Sequence, residues 1–371
     1  MLLADLLTET QTEAKRQLDI CNACRYCEGF CAVFPALQRR DFLTGGDVAQ
    51  LANLCHNCRG CYYACQYSPP HSFAVNLPTA LAEARVESYA AYAWPRLLAA
   101  AFERNGTILS FVAAIGAAVA MVGVGLARGQ GVFAVHQGPG AFYRAISWPV
   151  LAGLAGASLV FALAVLAIGA VRFWRDTGHA ARPGRGGAGP VALAVSDVLT
   201  LRNLGGGGHG CNDTSGAFSR KRRLFHHAMF YGFMLCFVAT ASGWFMDTFL
   251  AWPAPYPLLS VPVLSGTIGG VGLVIGTAGL LWLRLTADQA PGVRHLLGAD
   301  VALLALLLAI GGTGLLLLAL RETPAMSLLL ALHFGLVLAL FVMLPYSKMV
   351  HGLYRGLALL RDRRERVAKA G

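Results

Sequence analysis

Residues 21–31 read CNACRYCEGFC and residues 55–65 read CHNCRGCYYAC. Cys21, Cys24, Cys27 and Cys31, then Cys55, Cys58, Cys61 and Cys65, each follow C-x2-C-x2-C-x3-C. The stretch is an internal repeat, since Arg25 recurs as Arg59 and Pro35 as Pro69. Thiolate sulfurs at this spacing suit the corners of an iron–sulfur cubane, so two [4Fe–4S] clusters are expected. Zinc is usually held by two separated cysteine pairs, which a third and fourth cysteine in one run fit poorly. A disulfide framework needs an oxidising compartment, and nothing in the sequence suggests export.

The spacing is similar to that of two-cluster bacterial ferredoxins, in which the fourth cysteine of each run ligates the other cluster. Carried over, that pattern assigns cluster one to Cys21, Cys24, Cys27 and Cys65. Cluster two takes Cys55, Cys58, Cys61 and Cys31. The ferredoxin proline directly follows the last cysteine, whereas here it comes four residues later. His56 and His71 flank the second array and are expected to tune a cluster by hydrogen bonds rather than ligate it.

Outside the arrays the chain changes character. Of 371 residues, 56% are hydrophobic and only 13% charged, about half the charge of a soluble protein. That balance means a lipid bilayer. The net charge of +11 could suggest nucleic acid. That reading fails because Lys and Arg crowd the ends of apolar runs, as the positive-inside rule requires. The N-terminus lacks a basic region, a long apolar core and a small-residue cleavage site, so no secretory signal is expected. The arrays should stay in the cytoplasm, where thiols remain reduced.

Six apolar stretches, roughly 107–127, 147–171, 224–246, 264–285, 299–320 and 326–347, are each long enough to cross the hydrocarbon. Gly266, Gly269, Gly270 and Gly272 within them permit close helix contact. Residues 172–223 and the tail after 347 are rich in Arg and Lys, the latter ending in Arg361, Arg363, Arg364, Arg366 and Lys369. The 247–263 connection has neither. Both termini and the 172–223 loop are therefore expected in the cytoplasm of a bacterial inner-membrane protein. The chain divides into a cytoplasmic domain over 1–95, an interfacial connector over 96–106 and a membrane domain over 107–371. Thr44-Gly45-Gly46-Asp47 reads as a turn and N-cap, with a helix over Ala49 to Cys55. Residues 78–104, which carry Tyr92, Trp94 and Arg96, read either as one helix reaching the membrane surface with the aromatics at headgroup level or as an ordinary amphipathic packing helix. Residues 183–190 read as flexible linker. The run Gly205 to Gly208 before His209, Gly210 and Cys211 lacks P-loop context and reads as a tight loop near a cofactor.

Ionisable residues inside a membrane are functional candidates. His226 and His227 open the third span, and His351 lies at the cytoplasmic end of the sixth. Two neutral imidazoles on facing helices are what haem b needs as axial ligands. His333 precedes His351 by eighteen residues, five turns of one helix and about 27 Å. It is the candidate for a second haem, whose partner would fall near Cys236, with His136 as an outer-loop alternative. His295 reads as a surface residue.

The stretches ICNACRYCEGFCAVFP, CHNCRGCYYACQYSPPHSFAVNLP and RRLFHHAMFYGFMLCF resemble the tricarballylate/citrate utilisation protein B family over nearly the whole chain. The last span, LHFGLVLALFVMLPYSKMVHG, is similar to the cytochrome subunit of respiratory nitrate reductases, where histidines at this spacing bind two haems. Cys236 stands where that subunit has another histidine. The Leu224-Phe225 pair, by the same likeness, favours His226 over His227. The resemblance implies an all-α protein, with an α-helical ferredoxin-like two-cluster domain on a six-helix cytochrome b-type bundle. It also implies a role: reoxidising a partner FAD-dependent dehydrogenase flavoprotein that acts on tricarballylate, with electrons leaving to the quinone pool. Competing readings are an iron–sulfur cytochrome subunit of a heterodisulfide- or nitrate-reductase-type complex, and a redox-sensing transporter. A transporter should show broken helices in repeated halves. No substrate-transforming constellation is present, so no catalytic residue is assigned.

Overall fold

In the computed structural model the residues described are 7–178 and 188–370, and they are all-α. Arg182, Arg185 and residues 183–187 of the expected linker lie outside them, as does the side chain of Lys369. An isolated bridge between Cys211 and Ser219 is the one β-type pairing among the described residues.

The N-terminal domain is built from α1 (Glu9–Cys24), α2 (Val33–Leu37), α3 (Gly45–Leu54), α4 (Gly60–Tyr63) and α5 (Leu77–Tyr92). Thr8 caps α1 and Thr44 caps α3, each by a capping box, with Gln11 and Asp47 returning the bond. The helix after the Gly-Gly pair therefore starts at Gly45, earlier than the sequence suggests, and Asp47 closes the box rather than opening the helix. Leu18, Leu37, Val48, Leu51, Leu54 and Leu81 form the domain's core.

The expected 78–104 helix is not continuous. α5 ends at Tyr92, because Pro95 disfavours helical backbone at the residue before it. A short α6 (Arg96–Ala99) and a 3-10 turn (Ala100–Phe102) follow. Trp94 is half-exposed, but Tyr92 is buried rather than at headgroup level. Its ring packs on Phe173 and Tyr354, and its hydroxyl donates to Asp176.

Six helices are long and apolar enough to cross a membrane, so this is a multi-pass membrane protein. The spans are α7 (Asn105–Arg128), α9 (Trp148–Asp176), α11 (Lys221–Leu250), α12 (Val261–Leu285), α13 (Leu297–Ala319) and α14 (Met326–Met343). A short α8 (Ala141–Ala145) precedes the second span, α10 (Ala188–Leu199) lies between the second and third, and α15 (His351–Ala370) follows the sixth. The residues 188–190 read as linker are the first turn of α10. The sixth span does not run unbroken to His351. Pro345 cannot donate a helix bond, and two 3-10 turns (Leu344–Tyr346 and Lys348–Val350) separate α14 from α15. The five-turn alignment of His333 with His351 therefore does not hold.

Glycine seams set the helix spacing. A Cβ on Gly232 of α11 would lie 2.5 Å from Leu273 N of α12, and one on Gly269 would lie 2.8 Å from Cys236 N. Gly276 and Gly279 give Met229 and Phe225 the same room. α11 is thereby held along α12, while α14 packs on α7, α9 and α13 and stands away from α11.

One face of the bundle carries the N-terminal domain. Asp176 at the end of α9 meets Gly46, the Asp288–Ala290 turn accepts bonds from Arg59 and Asn76, and α15 lies along α3. The joint with α15 is ionic and buried. Arg40 pairs with Asp47 at 2.7 Å and Glu365 at 3.1 Å, and Arg39 pairs with Asp362. Removing one partner from such a cluster leaves an uncompensated charge, at a cost of about 3–5 kcal/mol. Arg40→Ala should therefore lower the melting temperature of the detergent-purified protein and make the chain cleavable between the domains. Unchanged melting and unchanged proteolysis would show that the joint is not ionic in origin.

Candidate functional site

The eight array cysteines are free and lie in the N-terminal domain. Arg25 and Arg59, the repeated residues, both adopt left-handed backbone, at φ 57° and 67°. Each turns the chain back within its array so that successive cysteines converge. The thiols fall into two groups. Cys21 is pushed up to about 12, first by burial and then by the charges of Cys65, Cys27 and Cys24. Cys27 is raised to about 11 by burial, Cys65 and Cys24. Burial and then Cys58 and Cys55 raise Cys31, while burial, Cys58, Cys31 and Cys55 are the larger influences raising Cys61. So the last cysteine of each run stands with the other run. A cavity between the runs is lined by Cys21, Cys24, Cys27, Cys61 and Cys65. Crowded, buried thiols ionise only against compensating positive charge, which is what iron supplies. The donor set therefore fits iron–sulfur clusters.

The glycine run forms a wall of the second group. Gly206, at φ +46°, would place a Cβ 3.7 Å from Cys58 Sγ, and Asn212 N donates to Cys58 O at 2.9 Å. Cys58, Leu204 and Cys211 make a small apolar cluster there. His56 Nδ1 lies 2.7 Å from Leu54 O, and His71 Nδ1 accepts from Phe73 N. Neither makes a hydrogen bond to a cysteine sulfur among the described residues.

Below the second group a cavity of about 200 Å³ enters the bundle between α11 and the start of α15. His226 and His351 both line it, with ring centroids 6.1 Å apart and planes at 79°. A metal–imidazole bond of about 2.0 Å, plus about 1.1 Å from nitrogen to ring centre, gives about 6.2 Å for two rings sharing one metal. His351 Nδ1 is 2.5 Å from Lys348 O and donates to it, which leaves Nε2 as a lone pair. Burial first, then the charges of Arg355 and His226, hold this imidazole well below its usual range and so neutral. His226 Nδ1 is buried with no hydrogen-bond partner. These features fit one haem b between the two rings. His227 points elsewhere, its ring 5.9 Å from Tyr231.

Sequence reasoning missed the charge of this cavity. Arg59, Arg85, Arg222, Arg284, Lys348 and Arg355 line it, against Asp213 and Asp300. Arg85 donates to Cys55 O, and Arg222 donates to Asn57 O at 2.7 Å, so the same cations touch the second cysteine group. Asp300 pairs with Arg284 at 2.8 Å and with Lys348. Burial lowers Lys348 to about 8 and Arg355 to about 10. A net positive pocket of this kind suits anionic groups, such as haem carboxylates and a thiolate-ligated cluster. The signal in the sequence was the recurrence of Arg beside candidate ligands, at 222 and 355 as well as 59.

His333 and Cys236 do share a cavity, farther along the bundle. His136 does not line it, and His295 is exposed as expected.

The fold and site define a multi-pass membrane protein with an iron–sulfur-type cysteine domain on one face. Residues 102–371 match the family described as Citrate utilization protein B, and residues 14–91 match the Citrate utilization protein B Fer4-like domain. Citrate utilization protein B of Escherichia coli is 44% identical over 361 residues, covering 96% of this chain and 93% of the relative. The chain belongs to the Citrate utilization protein B family. No solved structure matches it.

Proposed function

We propose that this chain transfers electrons from a partner FAD-dependent dehydrogenase, acting on tricarballylate or a related tricarboxylate, to membrane quinone. Two [4Fe–4S] clusters and one haem b are the carriers. The relative's name ties the family to citrate utilisation, which supports a tricarboxylate for the partner. The observation that carries the reading is the shared cationic cavity, whose arginines reach the second cysteine group while His226 and His351 line its bundle side.

In this reading Cys21, Cys24, Cys27 and Cys65 hold one cluster, and Cys55, Cys58, Cys61 and Cys31 the other. His226 and His351 would hold the haem. When bound, the clusters would supply single-electron transfer, which a path from a two-electron flavin to a one-electron haem needs. Arg85 and Arg222 keep the second cysteine loop against the histidine pair, and Lys348 O fixes the His351 tautomer. The glycine loop excludes water from Cys58. The face bearing the N-terminal domain is cytoplasmic, and the protein sits in the bacterial inner membrane.

Cys24→Ser and Cys58→Ser should each lower iron and acid-labile sulfide by about half and leave the b-type spectrum. Purified protein carrying zinc and no labile sulfide would overturn the cluster assignment. His351→Ala and His226→Ala should each abolish the low-spin bis-histidine signal, while His227→Ala should keep it. Retention of that signal in His351→Ala would exclude this pair. A reporter fused after Gly371 should read cytoplasmic; an external signal there would reverse the orientation.

A further inference from the structure

Farther along α11 than the His226–His351 pair the bundle opens again. Cys236 follows His226 by ten residues on α11, about 15 Å along the helix. At that level a second cavity of about 280 Å³ opens between α11, α12, α13 and α14. Its walls are largely Phe233, Phe237, Leu340 and Phe341, with Gly266 and Gly270 making room. His333 projects into it, its ring within 3.0 Å of where a Cβ on Gly314 would stand.

Thr313 fixes the state of that ring. Its hydroxyl donates its one proton to Ala309 O at 2.7 Å. At 3.1 Å from His333 Nδ1 it is then placed to accept, and the Ile310 carbonyl also bonds this ring, an arrangement that favours the proton on Nδ1. In that tautomer Nε2 is left as an acceptor. A second haem fits this cavity poorly. The α11 wall presents Phe233, Cys236 and Phe237 rather than a second imidazole, so the paired-histidine ligation that His226 and His351 offer has no counterpart here. Arg321 is the one cation among the lining residues. It already donates to Tyr256 O at 2.8 Å and lies 3.8 Å from Glu322 Oε1. A neutral flat ring bearing a hydroxyl suits these walls better, since ligand sites are apolar with a few placed polar groups. Phe237 and Thr240 line the cavity and are exposed on the bundle surface, where a lipid tail would leave.

We propose that this cavity binds the headgroup of a membrane quinone in its quinol form, with His333 Nε2 accepting a quinol hydroxyl. The proposal rests on the reading of the chain as quinone-linked, and assigns that reaction a place. His333 is a binding residue and ligates no metal.

The test uses the full chain in nanodiscs, titrated with decylubiquinol, with haem counted per chain by pyridine haemochrome. His333→Phe should weaken decylubiquinol binding about tenfold, the loss of one hydrogen bond, and leave haem content at the wild-type value. His333→Gln, which keeps an acceptor oxygen, should stay within about threefold. Thr240→Phe, narrowing the mouth without touching His333, should also weaken binding and serves where His333→Phe does not fold. A halved haem content in His333→Phe would make the cavity a haem site, and unchanged affinity in both His333→Phe and Thr240→Phe would place the quinol elsewhere. Wild-type protein without b-type haem would refute the broader reading while leaving the His333 binding result separately legible.

Discussion

The buried ionic joint between α3 and α15 is the contact on which the arrangement depends. Arg40 is 5% exposed, and its guanidinium is divided between Asp47 on its own domain and Glu365 on α15. Taking these charges out of water is costly, and only their mutual geometry offsets it. The joint is therefore specific in register: slide α15 by one turn and every pair is broken. α15 begins at His351, so the register that satisfies Arg40 also fixes where that imidazole enters the bundle. Asp47 couples the joint back to the second array, because it closes the capping box of the helix that ends at Leu54, immediately before Cys55.

The glycine seams answer a second requirement. A bundle with internal cavities must keep some helices apart without collapsing. Here α11 is pulled tightly onto α12 through Gly232, Gly269 and Gly276, and α14 onto α7 through Gly116 and Gly335. Without a hydrophobic drive between helices in lipid, such close backbone contact supplies the packing that fixes position. Close approach along these seams leaves room elsewhere: one cavity between α11 and the start of α15, and a second among α11, α12, α13 and α14.

Spacing carried most of what was legible in the sequence. The cysteine runs and the six apolar stretches are local patterns whose physical cause is local too: ligand geometry in one case, hydrocarbon thickness in the other. What escaped was decided by contacts far apart in the chain. Tyr92 looks like a headgroup aromatic until Asp176, Phe173 and Tyr354 enclose it. α10 is too short to span and sits amid basic loop residues, and its place depends on Asp197 receiving Arg363 at 2.6 Å. The break at Pro345 was visible as a residue but not as a break, because apolar sequence runs on both sides of it. His226 and His351 face one another across that break, an outcome that continuous-helix periodicity did not require.

The basic residues illustrate how one sequence signal can have two causes. Read along the chain, they orient the protein in the bilayer. In the structure, Arg39, Arg40, Arg59 and Arg85 are spent on the joint and the cavity, and Arg361 stacks on Trp174 at 4.1 Å. These buried cations cannot meet lipid headgroups and should be left out of the orientation argument. The asymmetry survives their removal. Arg104, Arg175, Arg202, Arg220, Lys221 and Arg294 are exposed on the face bearing the cysteine domain, against Arg128 and Arg144 on the other. The excess of exposed cations therefore lies on the face bearing the cysteine domain, now counted on the residues that can act by the positive-inside rule. The buried ones do something different: they set a positive potential between the second cysteine group and the histidine pair, which suits anionic groups on either side.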